Sequence, residues 1–429
     1  MSMPRMDKWY KERGARFLWE RARKLLRRYD LSPGKALRRI DNCVDALSAA
    51  GCAPTFPTPG IVVQRYPHFM RHLQDAGAEI AVHSYQHIDL SALPVAEARL
   101  QLERAVETFE RVGLEARGFR CPYLGYSEEL REALPPGMFE YSSNEMIACQ
   151  PKSIAGVRTE FSDRLRRLYA GQPMPDALCL PRTLPNLVEI PVCAPDDLEL
   201  IDGLRLGQEE TGDTWASVLD ELHRLGELFT LMFHPELASL CEHPLEKLLD
   251  RASRCHPPVW AARLGDISAW WREKSGFGVK CVESPEGLRV AFDCTPRATI
   301  LVRGLAPGPH LEPWDGAYSR LLGTTLDAPD GPRPFVGLPA SAPEPMMVVL
   351  REQGYILDTS GAATRCAVWL DPITLSGSTP RQIVDRIEAS TGPLVRYWRW
   401  PNGAKSALSI TGDLDALTLL DYAGRLLSR

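Results

Sequence analysis

Apolar residues along the chain recur with two periods, about 3.6 and 2, and the switches between them mark out the elements. Ala15, Leu18, Ala22, Leu25, Leu26 and Tyr29 fall at helical spacing, which predicts one amphipathic helix in the N-terminal stretch. Ser32-Pro33-Gly34 breaks it. Ser32 as N-cap with Pro33 at the first helical position starts a second helix running to about Ala50. A rhythm of short β-rich runs follows: CAPTFPT (52–58), EIAVHS (79–84), GFRCPY (118–123), FEYSSN (139–144), LVEIPVC (187–193) and LFTLMFH (228–234). Segments with helical patterning lie between and after them, at 64–75, 95–112, 213–226, 244–254 and 262–274. Strands alternating with helices over roughly 240 residues predict an α/β unit with a mostly parallel sheet, for which a barrel is the usual closure.

Beyond Trp270-Trp271 the texture changes. VKCVES, GLRVAFDC and ATILVRGL are strand-like with no helix between them, and the Pro- and Gly-rich stretch 305–346 reads as loop. MMVVLREQGYIL, CAVWL and a helix at 380–391 form a further α/β piece. The division is therefore a basic helix (1–32), a (β/α) unit (33–275), a β-rich module with loop (276–345), an α/β segment (346–400) and a terminal strand and helix (401–429). No internal repeat or low-complexity tract interrupts it.

Composition adds little except through its distribution. The 429 residues, 44% hydrophobic and 24% charged, suit a globular chain of two or three structural units. Formal net charge is −5, so the whole molecule offers no general attraction to nucleic acid. Residues 8–28 hold nine Lys/Arg against two Glu, a local +7 that leaves −12 on the remainder. With Trp9, Phe17 and Trp19 on the same segment, a peripheral contact with an anionic membrane is an expectation, set against a solvated face docked on the barrel. Eleven cysteines without any C-x-x-C pair read as reduced core thiols. With no signal-type or membrane-spanning apolar run, the expected location is cytoplasmic, at most peripheral at the inner membrane surface.

Three strand ends carry polar residues. His83-Ser-Tyr-Gln-His87 follows EIAV, and if helical its two imidazoles share one face and could converge on a metal ion. The alternative is a pair of surface or hydrogen-bonded histidines. Arg120-Cys121-Pro122-Tyr123 follows the next strand, where the arginine could hold a carboxylate or the proline simply fix a turn. His234-Pro235 ends LFTLMF. Polar residues gathered at one edge of a parallel sheet are where α/β barrels place catalysis. His223, His243, His256 and His310 lack motif context and read as surface or core histidines, and Trp270-Trp271 as packing against a neighbouring unit.

In this order, H-S-Y-Q-H (83–87), R-C-P-Y (120–123) and L-M-F-H-P (231–235) resemble the polysaccharide deacetylase family, carbohydrate esterase family 4 or NodB-homology domain. Ala53-Pro54-Thr55-Phe56 echoes the text that precedes the family's second motif. The likeness covers about 240 residues. Two features depart from the pattern. The family's first aspartate motif should precede residue 52, where only Asp30 stands near the expected spacing, and Pro191 to Asp197 fills the place of the D/W motif without its tryptophan. SALSITGDLDAL at 406–417, an apolar strand ending in Asp413-Leu414-Asp415, is similar to the family's D-[VL]-D-A variant of the first motif, so the resemblance implies a circular permutation. The competing reading is an aspartate cap on the terminal helix.

The resemblance implies a distorted (β/α)7 barrel, completed by the C-terminal strand and carrying an inserted β-rich and α+β module. It implies Zn2+, or Co2+ or Ni2+, held by His83, His87 and Asp415. Asp413 would be the base, Arg120 its holder, the Tyr123 N–H an oxyanion donor and His234 the acid, with Asp196 or Asp197 supporting His234. The expected activity is N-deacetylation of an amino sugar or its lipid-linked or nucleotide-linked conjugate. A cyclic-amide or ureide hydrolase on the same scaffold and an inactive glycan-binding barrel are the alternatives.

Overall fold

The computed structural model describes residues 31–427 except 158, 170, 286 and 307, together with residues 25, 28 and 29. The basic segment 8–28 and its membrane contact therefore fall almost entirely outside the described residues, as does Asp30. Helix Pro33–Ala49 begins where the Ser-Pro signal places it, although the Ser32 side chain makes no capping hydrogen bond. Ala36, Ile40, Val44 and Leu47 form its buried face at i, i+4, i+8 and i+11. Helix Val95–Val112 ends at Gly113, whose φ of 82° supplies the left-handed C-terminal turn.

A twelve-stranded sheet forms the first unit. Its path runs through residues 172–173, 146–148, 192–194, 228–233, 406–412, 55–58, 79–82, 118–119, 141–142, 188–189 and 182–183, with strand Val259–Ala261 attached to Ser406–Gly412. Every pairing is parallel except the last on the path, between Arg182–Thr183 and Val188–Glu189. The result is a curled half-barrel, consistent with the expected distorted (β/α) barrel. All six expected β-rich runs supply strands. LVEIPVC gives two, Val188–Glu189 and Val192–Ala194, and several two- or three-residue strands were too short to show in the pattern.

The sheet is completed from the far end of the chain. Strand Ser406–Gly412 lies between Leu228–Phe233, in register from Leu228↔Ala407 to Phe233↔Gly412, and Thr55–Thr58. All seven of its residues are buried, as parallel strands covered on both faces require.

The stretch 305–346 is corrected from loop to structure: it holds strands Leu311–Asp315, Tyr318–Leu321, Thr325–Pro329 and Arg333–Gly337. Arg333–Gly337 pairs in parallel with Leu357–Asp358 and Cys366–Trp369, so the α/β piece begins near 333 rather than 346. Strand Leu394–Tyr397 pairs with Ile300–Arg303, which binds the α/β piece to the β-rich module. Trp270, Trp271 and Trp400, all fully buried, seal this module against the half-barrel, with Trp270 Nε1 donating to the Arg399 carbonyl at 2.8 Å.

Candidate active site

Because the strands are parallel, residues just past their ends share one edge, and the edge at the carboxyl ends collects the polar motifs. Asp413 and Asp415 reach it directly from the C-terminal strand. The Asp413 N–H donates to the Phe233 carbonyl (3.0 Å) and the Leu414 N–H to the Pro57 carbonyl (2.9 Å), so both flanking strands fix the turn. Gly412 lets the chain pass: a Cβ there would lie 2.7 Å from Pro235 Cγ and 2.8 Å from the Phe56 ring.

His83 and His87 converge on Asp415, but not along a helix. Residues 83–87 form an irregular turn in which Ser84 adopts a φ of 64°. His87 Nε2 stands 2.8 Å and His83 Nε2 3.6 Å from Asp415 Oδ1, and the three ligand atoms lie within 4.8 Å of one another. His83 Nδ1 is 2.8 Å from the Arg120 carbonyl, which can only accept, so the proton sits on Nδ1 and the Nε2 lone pair is left for a ligand. That Nε2 is buried and has no hydrogen-bond partner among the described residues. Two imidazoles and a carboxylate with an orphaned buried lone pair suit a divalent ion with open coordination positions. Sequence reasoning missed Arg28, whose Nη2 lies 3.3 Å from Asp415 Oδ2 and 3.9 Å from Glu236; nothing in its local pattern distinguishes it.

Arg120 is fully buried and makes four side-chain hydrogen bonds. Nη1 binds Asp413 Oδ1 at 2.7 Å and Thr411 Oγ1 at 2.9 Å, while Nε and Nη2 donate to the carbonyl and hydroxyl of Ser143. A guanidinium fixed by four hydrogen bonds holds a carboxylate in one orientation. The following turn is anchored by the Cys121 N–H donating to Asn144 Oδ1 at 2.6 Å. Glu189, its carboxyl pushed up to about 7 by burial, accepts from the Ser142 hydroxyl and from the Asn144 and Glu145 N–H groups beneath it. These partners were also missed, though Ser142-Ser143-Asn144 at a strand end was a visible signal. Tyr123 has a φ of 59° and sets its ring edge-on to His87, centroids 4.8 Å apart.

His234 sits across the edge with Asp197. Its Nδ1 is 2.8 Å from Asp197 Oδ1, and its backbone N–H donates to Oδ2 at 2.9 Å. Burial works against the charged imidazole, but Asp197 overrides it and His234 is pushed up to about 9. Asp196 turns away from this pair. It accepts from Tyr169 Oη and the Glu199 N–H, and burial beside Asp197 pushes it up to about 7. The D/W position lacks a tryptophan in sequence, yet Trp215 arrives from helix Gln208–Leu225 and donates from Nε1 to the Pro195 carbonyl at 3.2 Å.

A parallel half-barrel with a His/His/Asp cluster, an arginine-held aspartate and a His–Asp pair on one edge has the parts of a hydrolase site. Residues 27–135 match the polysaccharide deacetylase family model. The histidine and arginine motifs lie within that matched span, and the terminal-histidine motif follows it in the order the family keeps. The family supports a deacetylase as the class of activity. No curated protein matches the chain. Among solved structures, a Mycobacterium smegmatis protein assigned as a polysaccharide deacetylase is 22% identical over 56% of this chain and 78% of its own, with a TM-score of 0.43. A Pseudomonas aeruginosa PAO1 protein with the same assignment is 18% identical over 55% and 72%, TM-score 0.43. A family 4 carbohydrate esterase from Streptomyces lividans, in complex with acetate, is 15% identical over 52% and 82%, TM-score 0.30. Among the described residues no helix is long and apolar enough to cross a membrane.

Proposed function

We propose that this chain is a metal-dependent carbohydrate N-deacetylase, hydrolysing the N-acyl amide of an amino sugar or its conjugate to the free amine and a carboxylate. The observation that carries the reading is the convergence of His83, His87 and Asp415 beside an Asp413 held by Arg120. On this reading the C-terminal strand and its Asp-Leu-Asp are the family's first βα unit, circularly permuted. The substrate is a cytoplasmic lipid-linked or nucleotide-linked sugar, and the +7 segment at residues 8–28 would draw the site toward an anionic membrane.

A divalent ion of the Zn2+, Co2+ or Ni2+ kind, held by these three side chains, would polarise the acyl carbonyl and acidify a water. Asp413 removes the water proton, and Arg120 keeps its carboxylate aimed while leaving one oxygen to accept. The Tyr123 N–H donates to the oxyanion that forms from the carbonyl. His234, charged through its contact with Asp197, delivers a proton to the departing amine.

Metal analysis tests the centre. His83→Ala is expected to carry one equivalent less divalent metal than the unaltered protein, and equal content in the two overturns the assignment. A panel of N-acetylhexosamine conjugates and cyclic ureides then tests the chemistry: release of acetate supports the reading, and ureide opening alone replaces it.

The acid role has a pH signature. The amide rate should fall as pH rises through about 9, where His234 loses its proton, and a His234→Asn variant should lack that limb. The same shift sets a stability term. Because the folded value lies above the free value of 6.5, the contribution is complete below 6.5 and is lost as pH rises through about 9, which thermal unfolding against pH would record.

A further inference from the structure

We propose a second metal site, for a divalent thiophilic cation of the zinc class, formed by the thiolates of Cys149, Cys179 and Cys193. These cysteines are far apart in sequence and belong to no spacing motif, but the fold brings their three Sγ atoms within 4.8 Å of one another. Cys193 lies in strand Val192–Ala194. Cys149 follows the adjacent strand, its N–H donating to the Ala194 carbonyl at 3.1 Å. Cys179 is pinned from both sides, its N–H donating to Glu227 Oε2 and its carbonyl accepting from the Leu228 N–H. All three residues are buried, at 4%, 0% and 0% exposure.

The geometry suits one shared ion. Thiolates each ~2.3 Å from a zinc-type ion stand roughly 4 Å apart, which small rotamer adjustments reach from the observed spread. Charge selects a divalent over a monovalent ion. Three thiolates would leave −2 around a monovalent ion but −1 around a divalent one. The neighbouring ionic pair, Glu227 with Arg381, is already neutral in itself, so it removes neither charge. Burying the smaller residual charge costs less. The remaining position could fall to a backbone oxygen such as that of Leu228, 3.6 Å from Cys193 Sγ. Bound there, the ion would clamp the strand that leads into Asp196 and Asp197 onto the loop that Arg381 joins to the downstream module.

This proposal does not depend on the deacetylase reading, and its test removes the other centre. In a His83→Ala/His87→Ala double variant of the full chain, elemental analysis should still find one equivalent of zinc. After its removal by a chelator, Cd2+ titration should develop a sulfur-to-cadmium charge-transfer band saturating at one equivalent. Cys179→Ser in the same background should abolish both. If the double variant, with its thiols shown to be reduced, binds neither Zn2+ nor Cd2+ and gives no band, the three cysteines are core thiols only; this result decides the matter even where Cys179→Ser fails to fold.

Discussion

Deleting residues 404–429 is expected to leave an insoluble or molten chain rather than a folded, inactive one. Chain ends usually fray and carry few buried contacts. Here the segment is a central strand, in register with Leu228–Phe233 on one side and joined to Thr55–Thr58 on the other. Removing it exposes two rows of unpaired backbone groups and opens the sheet between residues 58 and 228. Leu408, Ile410, Leu414 and Leu417 are all fully buried. Losing such side chains costs about 2–5 kcal/mol each, against about 5–15 kcal/mol for a whole domain. Near-ultraviolet circular dichroism and calorimetry check the outcome. A soluble truncated protein with an unchanged cooperative transition would show that the half-barrel stands without its C-terminal strand.

Asp413→Asn should preserve the fold and the metal content while lowering deacetylation by about 100-fold or more, the expected loss for a general base. The substitution is well posed because an amide oxygen can still accept from Arg120 Nη1, now 2.7 Å from Oδ1, so position is kept and basicity removed. Arg120→Ala asks a different question. It leaves a buried Asp413 carboxylate without its cation and strips Thr411 and Ser143 of their partner. Breaking such a pair costs about 3–5 kcal/mol, so activity and thermal stability should fall together. Rates within a few-fold of the unaltered protein for Asp413→Asn would remove this residue from the chemistry and send the search for a base elsewhere on the edge.

By itself the sequence determined the elements whose signals are local. Helix Pro33–Ala49 follows from Ser32-Pro33, helix Val95–Val112 from its apolar stripe and Gly113, and the principal strands from runs such as LFTLMF. Each depends on residues within one or two turns of one another, and so does the order of the polar motifs at the strand ends. The errors arose where the local signal was weak or ambiguous. Edge strands such as Thr325–Pro329, with alternate residues exposed and prolines included, resemble loop in composition, and two histidines four apart fit a helix as readily as the turn they occupy. What only the tertiary structure decided is the company each residue keeps across the chain. It placed Asp415 against His87, Asp413 against Arg120, Asp197 rather than Asp196 against His234, Arg28 beside Asp415, and three solitary cysteines together. Such contacts join positions tens to hundreds of residues apart. No spacing along the chain encodes them, because they follow from which strands lie side by side and from buried charges requiring partners at the edge those strands create.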